Sequence, residues 1–334
     1  MTTSIESEVV AEPVALPRSA ASGLATRTWR LRPIFPWLDE RGLALPLGRA
    51  ARAITHNPIG GLRMLAHEAF ANPIGGRSVV LFALPKSGST MSELAFRTMG
   101  LVDLQHSLWA RTCSADWNSP APEQLSRIFR FVSPRRQGFA KTHIAWHPTI
   151  RAAMMDLGIV GAVQIRDIRD VLVSRYHHVM SDPSHRHHAM LRDLSPSEGL
   201  RRSFFGERPL QGDDPLPYLA QWVVSWTAAA ELPVLRYEDY LTNDCEFLRS
   251  LRSLAGRDEV DTELLQRAIR NDRERAAKAK LATRLRNRAL NFSTFRQGER
   301  GGWRQIFDQE AIDLVKRHAN HALLASGYES DDRW

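Results

Sequence analysis

The sequence predicts an α/β protein in which a parallel sheet lies between two layers of helices. Three observations carry this. Residues 78–100, SVVLFALPKSGSTMSELAFRTMG, read as an apolar strand, a tight turn and an amphipathic helix. The same strand–helix alternation continues toward the C-terminus. Lys86, His143 and Arg166 each fall just after a predicted strand, and ligands of parallel sheets sit at the carboxyl ends of strands.

The first strand is placed at 78–84 and its helix at 90–99, with apolar positions at Met91, Leu94, Ala95 and Met99 and a stop at Gly100. A strand at 138–142, a helix at 148–156, a strand at 159–165 and a helix at 169–180 follow. Residues 181–215 show no period and read as a long loop of the kind that binds or covers ligands. Beyond it come a helix at 216–230, a strand at 233–237 and helices at 243–255, 261–280 and 308–326. Residues 28–75 are broken by Pro and Gly, with helical fragments near 48–55 and 61–71. Residues 1–27, rich in Ser, Thr, Ala and Pro, read as a flexible extension, and 28–330 as one domain with its motifs in 78–303.

A chain of 334 residues with 43% apolar content can bury one sizeable core. Its two cysteines, Cys113 and Cys245, form no disulfide framework, so a reduced, cytoplasmic setting is expected. No apolar run reaches the ~18 residues of a membrane span. The formal charge is +8, and arginine supplies almost all of the basic excess. That balance suits an anionic substrate, and it equally describes a solvated basic surface. It also admits a non-enzymatic, arginine-rich nucleic-acid binder, with Arg270–Arg288 as a basic helix, although basic residues and aromatics are not interleaved there.

The turn Pro85-Lys86-Ser87-Gly88-Ser89-Thr90 places amides, hydroxyls and a lysine at a helix N-terminus, which favours a phosphate or sulfate. It lacks the Walker A order, because Lys86 precedes Gly88. That leaves an ATP-dependent phosphotransferase as a second enzymatic reading, without a clear Mg²⁺ carboxylate to support it.

This order resembles the 5′-phosphosulfate loop of the cytosolic-type sulfotransferases, which use 3′-phosphoadenosine 5′-phosphosulfate (PAPS). Three further segments match in order. Gln164–His178, QIRDIRDVLVSRYHH, is similar to the 3′-phosphate segment and implies Arg166 and Ser174 as phosphate ligands. Lys141-Thr142-His143 resembles the Lys-Thr-His segment, implying His143 as general base with Lys141 beside the sulfuryl group. Phe295–Trp303, FRQGERGGW, is similar to the loop over the 3′-phosphate, implying Arg296, Gln297 and Gly298, with Gln297 in place of the usual Lys and Gly302 in place of Asp. A softer match, VLRYED at Val234–Asp239, implies Tyr237 near the adenosine, and Met91 stands where the family often has an adenine-stacking Trp.

The resemblance implies a three-layer, P-loop-like fold and PAPS as co-substrate. Lys86, with Lys141, stabilises the transferred group, and Ser87, Gly88, Ser89 and Thr90 hold the 5′-phosphate. The acceptor is a hydroxyl, or secondarily an amine, of a small molecule, lipid or glycan. No nucleic-acid partner and no metal are implied. The His-rich stretch at His177, His178, His185, His187 and His188 has no HExxH spacing and reads as solvated or acceptor-side. His147 is the rival base, Trp303 a packing anchor and Trp334 a tail residue.

Overall fold

A strand of Val, Leu, Phe and Ala with every residue buried can only lie inside a sheet covered on both faces. Strand β1 (Val79–Ala83) is of this kind. In the computed structural model, which describes residues 78–103, 138–206, 214–228, 231–286 and 300–334, it occupies the centre of a five-stranded sheet. The order is β2 (Val102–Asp103), β3 (Gly138–Thr142), β1, β4 (Val160–Ile165) and β5 (Val234–Arg236), and all pairings are parallel. Val79 lies opposite Phe139 on one side and Val160 on the other, which brings the three central strands to one level at their carboxyl ends.

Successive side chains of a strand face opposite ways. Val80, Phe82 and Leu84 enter one core with helices α2 (Pro148–Leu157), α3 (Ile168–Ser181), α6 (Pro215–Ala228) and α10 (Gln309–Ala325). Val79, Leu81 and Ala83 enter the other with α1 (Ser89–Thr98), α7 (Tyr237–Thr242), α8 (Asp244–Ala255) and α9 (Thr262–Arg286). The predicted three-layer α/β fold is therefore present. No helix among the described residues is long and apolar enough to cross a membrane.

The structure corrects the sequence reading in several places. The stretch 181–215 is not wholly a loop, since α4 (His188–Leu191) and α5 (Pro196–Arg202) lie in it. Ser195 caps α5 by accepting from the Glu198 N–H, with Pro196 in the first turn. The last predicted strand ends at Arg236, and Tyr237 opens a short helix. The two-residue edge strand β2 was not expected.

Trp334 is not a loose tail residue. Its ring lies 4.4 Å from the Arg169 guanidinium, while Trp303, 5% exposed and a packing anchor as expected, lies 4.3 Å away. Arg169 follows the cap of α3, Asp167, and its Nε and Nη2 donate to that carboxylate at 2.9 and 2.8 Å. Its Nη1 meets Glu329 at 2.5 Å. The charged turn 167–170 is a buried knot joining α3 to the C-terminal segment.

Removing the cation from this knot would strand two carboxylates. Arg169→Ala is expected to destabilise the protein by about 3–5 kcal/mol, the usual result of breaking one side of a buried ion pair. Urea unfolding checks this as a fall in midpoint at constant slope. A variant that unfolds at the native midpoint contradicts it.

Candidate active site

The chain leaves β1 toward β2 on one flank of the sheet and leaves β4 toward β5 on the other. A crevice opens between strands whose connections diverge in this way. The turn after β1 is fastened there by Gln164 of β4, whose Nε2 donates to the Ser87 carbonyl at 2.7 Å and whose Oε1 accepts from Ser92 at 2.8 Å. The Leu84 N–H donates to the Gln164 carbonyl at 2.8 Å, and the Ser87 N–H to the Leu84 carbonyl at 3.1 Å.

Two residues of the turn adopt left-handed backbone, Lys86 at φ 67° and Gly88 at φ 79°. A Cβ on Gly88 would stand 2.4 Å from the Tyr237 ring, so glycine is required by space as well as conformation. Gly88 caps α1 without any side-chain hydrogen bond. Ser87, Ser89 and Thr90 therefore do not cap the helix, and its first amides remain open to an outside anion. The Ser87 hydroxyl is fully buried and has no hydrogen-bond partner among the described residues. Lys86 is pushed down to about 8 by burial first, then by the charges of Arg166 and Lys141. Met91, 9% exposed, packs in the core layer that holds Tyr237 and Tyr240.

His143 follows β3. Its Nδ1 lies 2.5 Å from the Ala83 carbonyl at the end of β1. A carbonyl only accepts, so Nδ1 carries the proton and Nε2 is left as the basic nitrogen. Burial pushes the imidazole down to about 4, against the partly opposing bond to Ala83 and with help from Lys141 and Lys86. An ordinary imidazole titrates near 6.5, so this base is held well below its usual range. The peptide after His143 is gripped from α6, where Trp222 Nε1 donates to the His143 and Ile144 carbonyls at 3.1 and 3.0 Å and Trp226 Nε1 to Ile144 at 3.0 Å. His147 is elsewhere occupied. It is the exposed cap of α2, and its Nδ1 accepts from the Thr149 N–H.

Lys141 does not present an uncompensated charge. Its Nζ pairs with Glu93 of α1 at 2.9 Å, and Glu93 is 7% exposed. Arg166 follows β4, its guanidinium 4.7 Å from the Tyr237 ring centre. Ser174 is half-buried in the second turn of α3. Arg296, Gln297 and Gly298 lie outside the described residues. The residues just after them are held to α3, because Asp170 accepts from the Gly301 and Trp303 N–H groups at 2.7 and 3.0 Å. Burial pushes the Asp170 carboxyl up, and those two bonds and Arg166 oppose the rise. Among the described residues no group of His, Cys, Asp and Glu could hold a metal ion.

A model of the sulfotransferase domain matches residues 77–327. The chain belongs to the sulfotransferase family. Solved structures that this sulfotransferase resembles include retinol dehydratase in complex with androsterone and the inactive cofactor PAP, at 17% identity over 78% of this chain and 84% of that one, with a TM-score of 0.44. A mouse sulfotransferase complexed with PAP gives 14% identity, coverage of 78% and 88%, and a TM-score of 0.46. No curated protein sequence matches the chain.

Sequence reasoning missed Glu93, Asp170, Trp222 and also Tyr218 of α6, whose hydroxyl donates to the His143 carbonyl at 3.3 Å. Glu93 was findable: at i and i+7 from Lys86 it lies on the helix that the motif itself opens, although its partner Lys141 comes from another strand. Asp170 and the α6 donors act across 131 and 79 residues, and no local pattern announces such contacts.

The buried Lys86 yields a stability prediction. A lysine whose pKa falls on folding, here from 10.5 to about 8, makes its charged form costly below pH 8. That cost fades as pH rises from 8 to 10.5. Lys86→Met is therefore expected to unfold at higher temperature than the parent at pH 7, with the gap narrowing above pH 8. Calorimetry showing a less stable variant at pH 7 contradicts it.

Proposed function

We propose that this sulfotransferase moves a sulfuryl group from PAPS to a hydroxyl, or secondarily an amine, of a small-molecule, lipid or glycan acceptor. The observation that carries the reading is the meeting of Lys86, His143 and Arg166 at the carboxyl ends of β1, β3 and β4. The donor's chemistry fits this cradle. Open amides at Ser89 and Thr90, the unpartnered Ser87 hydroxyl and the space kept by Gly88 suit its 5′-phosphosulfate. Arg166 offers a planar fork to the 3′-phosphate and Ser174 a hydroxyl. Arg296, Gln297 and Gly298 complete that grip in the proposal. Tyr237 and Met91 flank the adenosine side.

In the reaction, His143 Nε2 takes the acceptor proton as the acceptor oxygen bonds to sulfur. The bond from sulfur to the bridging oxygen breaks, and its electron pair leaves with adenosine 3′,5′-bisphosphate. Lys86 stabilises the growing charge on that oxygen. Lys141, held by Glu93, faces the sulfuryl oxygens with its position fixed and its charge partly offset. A base held near 4 is weak in the free protein. Bound donor brings negative charge against Lys86 and Lys141, which offsets their repulsion and raises the pKa of His143 above its free-site value, while the burial that lowers it most remains.

His143→Ala is expected to bind adenosine 3′,5′-bisphosphate as the parent does and to lose about 10²–10⁴ in transfer rate. His147→Ala should stay near the parent. With saturating donor, the acid limb of the parent's rate profile should lie above pH 4, the value in the free site. Transfer of labelled sulfate from PAPS measures the rates and the pH profile, and calorimetric titration measures the bisphosphate affinity. Full activity of His143→Ala refutes the assignment.

A further inference from the structure

One buried cation has no role in this mechanism. Arg175, on α3, is partly buried and pushed down to about 10 by burial first and then by the charge of Arg186. Its Nη1 donates to the Ser203 carbonyl at 2.8 Å and its Nη2 to His187 Nδ1 at 2.9 Å. Both partners are neutral acceptors, and no carboxylate pairs with Arg175 among the described residues. Charges taken from water are ordinarily paired.

From Arg175 a row of imidazoles runs back to His178 of α3, which feels the charge of Lys86. The His187 and His185 rings are 5.4 Å apart, and the His185 and His178 rings 5.9 Å. His187 Nδ1 accepts from Arg175 and His185 Nδ1 accepts from the His187 N–H at 3.1 Å, so in each neutral ring Nε2 is the donor. His178 lies one turn beyond Ser174 on the same face of α3. Lys86 is the foremost charge acting on His178, and it acts on His143 as well. Arg186, exposed, adds further positive charge. The acid that acts on His178 and His185 is Asp182, which already accepts from the Ser184 N–H and Oγ at 2.9 and 2.6 Å.

We propose that Arg175, His178, His185 and His187 form a recognition row for an oxyanion on the acceptor, so that the substrates of this enzyme are hydroxyl compounds that also carry a carboxylate, sulfate or phosphate. This rests on the donor reading above. Neutral donors and one cation, arranged in a row whose end, His178, lies in the field of the same Lys86 that acts on His143, distinguish such an acceptor from an uncharged analogue. The uncharged analogue leaves Arg175 without a counter-ion.

The test compares 3-(4-hydroxyphenyl)propanoate, its phosphonate analogue and its neutral amide as acceptors, with PAPS saturating. In the parent, kcat/KM for the anionic compounds is expected to exceed that for the amide by at least about tenfold, as a charged hydrogen-bonding partner commonly gives. The phosphonate arm separates a carboxylate site from a site for phosphate-like groups. Arg175→Gln and His178→Phe should bring the ratio toward one, chiefly through the KM of the anionic member, and Arg175→Lys should restore part of it. A structural role alone would lower all acceptors together and leave the ratio unchanged, which overturns the proposal. Equal use of anionic and neutral acceptors by the parent, or use of none of them while adenosine 3′,5′-bisphosphate still binds, overturns it too. Failure of the parent to bind the bisphosphate instead overturns the donor reading.

Discussion

Lys86, Lys141 and Arg166 stand at the carboxyl ends of three neighbouring strands, and the charges of the last two help to push the first down to about 8. Parallel register forces this crowding. β1 pairs with β3 and β4 at the same level, so side chains that follow each strand emerge into one crevice. Folding therefore works against the electrostatics of its own site. Glu93 relieves Lys141, and Asp170 lies in the field of Arg166. Lys86 has no acid partner among the described residues. A donor with a phosphosulfate at one end and a phosphate at the other supplies the charge that the fold lacks. In the proposed complex the unfavourable cations of the free protein become the source of affinity.

Such a site needs a rigid frame, and the frame is polar as well as apolar. Gln164 ties the anion loop to β4 through its own amide and carbonyl. The two indole donors of α6 hold the backbone that carries His143. Arg169 sits between Trp303 and Trp334 with Asp167 and Glu329 on its edges. Through this knot and through Asp170, the helix that follows Arg166 is joined to the segment that follows Arg296–Gly298.

The sheet was legible because its strands are short apolar runs bounded by Pro85, His143 and Arg166, and because the buried central strands need no alternation. The turn after β1 was legible as a strand–turn–helix junction because Pro85 and Gly88 interrupt the apolar run just before the helical spacing of Met91, Leu94 and Ala95 begins. The helices α4 and α5 were not read, since four and seven residues are too short for a period to emerge. The Ser195-Pro-Ser-Glu198 sequence carried a capping signal for the second of them all the same. Trp334 looked like a tail because its partners, Arg169 and Trp303, come from distant parts of the chain. The pKa of His143 is not legible in the sequence for a similar reason: spacing places the residue, while its pKa depends on burial and on two lysines.

The central claim is that the crevice selects its nucleotide by the 3′-phosphate as well as by the 5′ end. Calorimetric titration of the full chain with adenosine 3′,5′-bisphosphate, adenosine 5′-monophosphate and ATP, at one moderate salt concentration, tests it directly. The bisphosphate is expected to bind tightest, and removing its 3′-phosphate to weaken binding by about tenfold or more, the worth of a charge-assisted contact to arginine. Equal affinity for the bisphosphate and the monophosphate, or stronger binding of ATP, would contradict it.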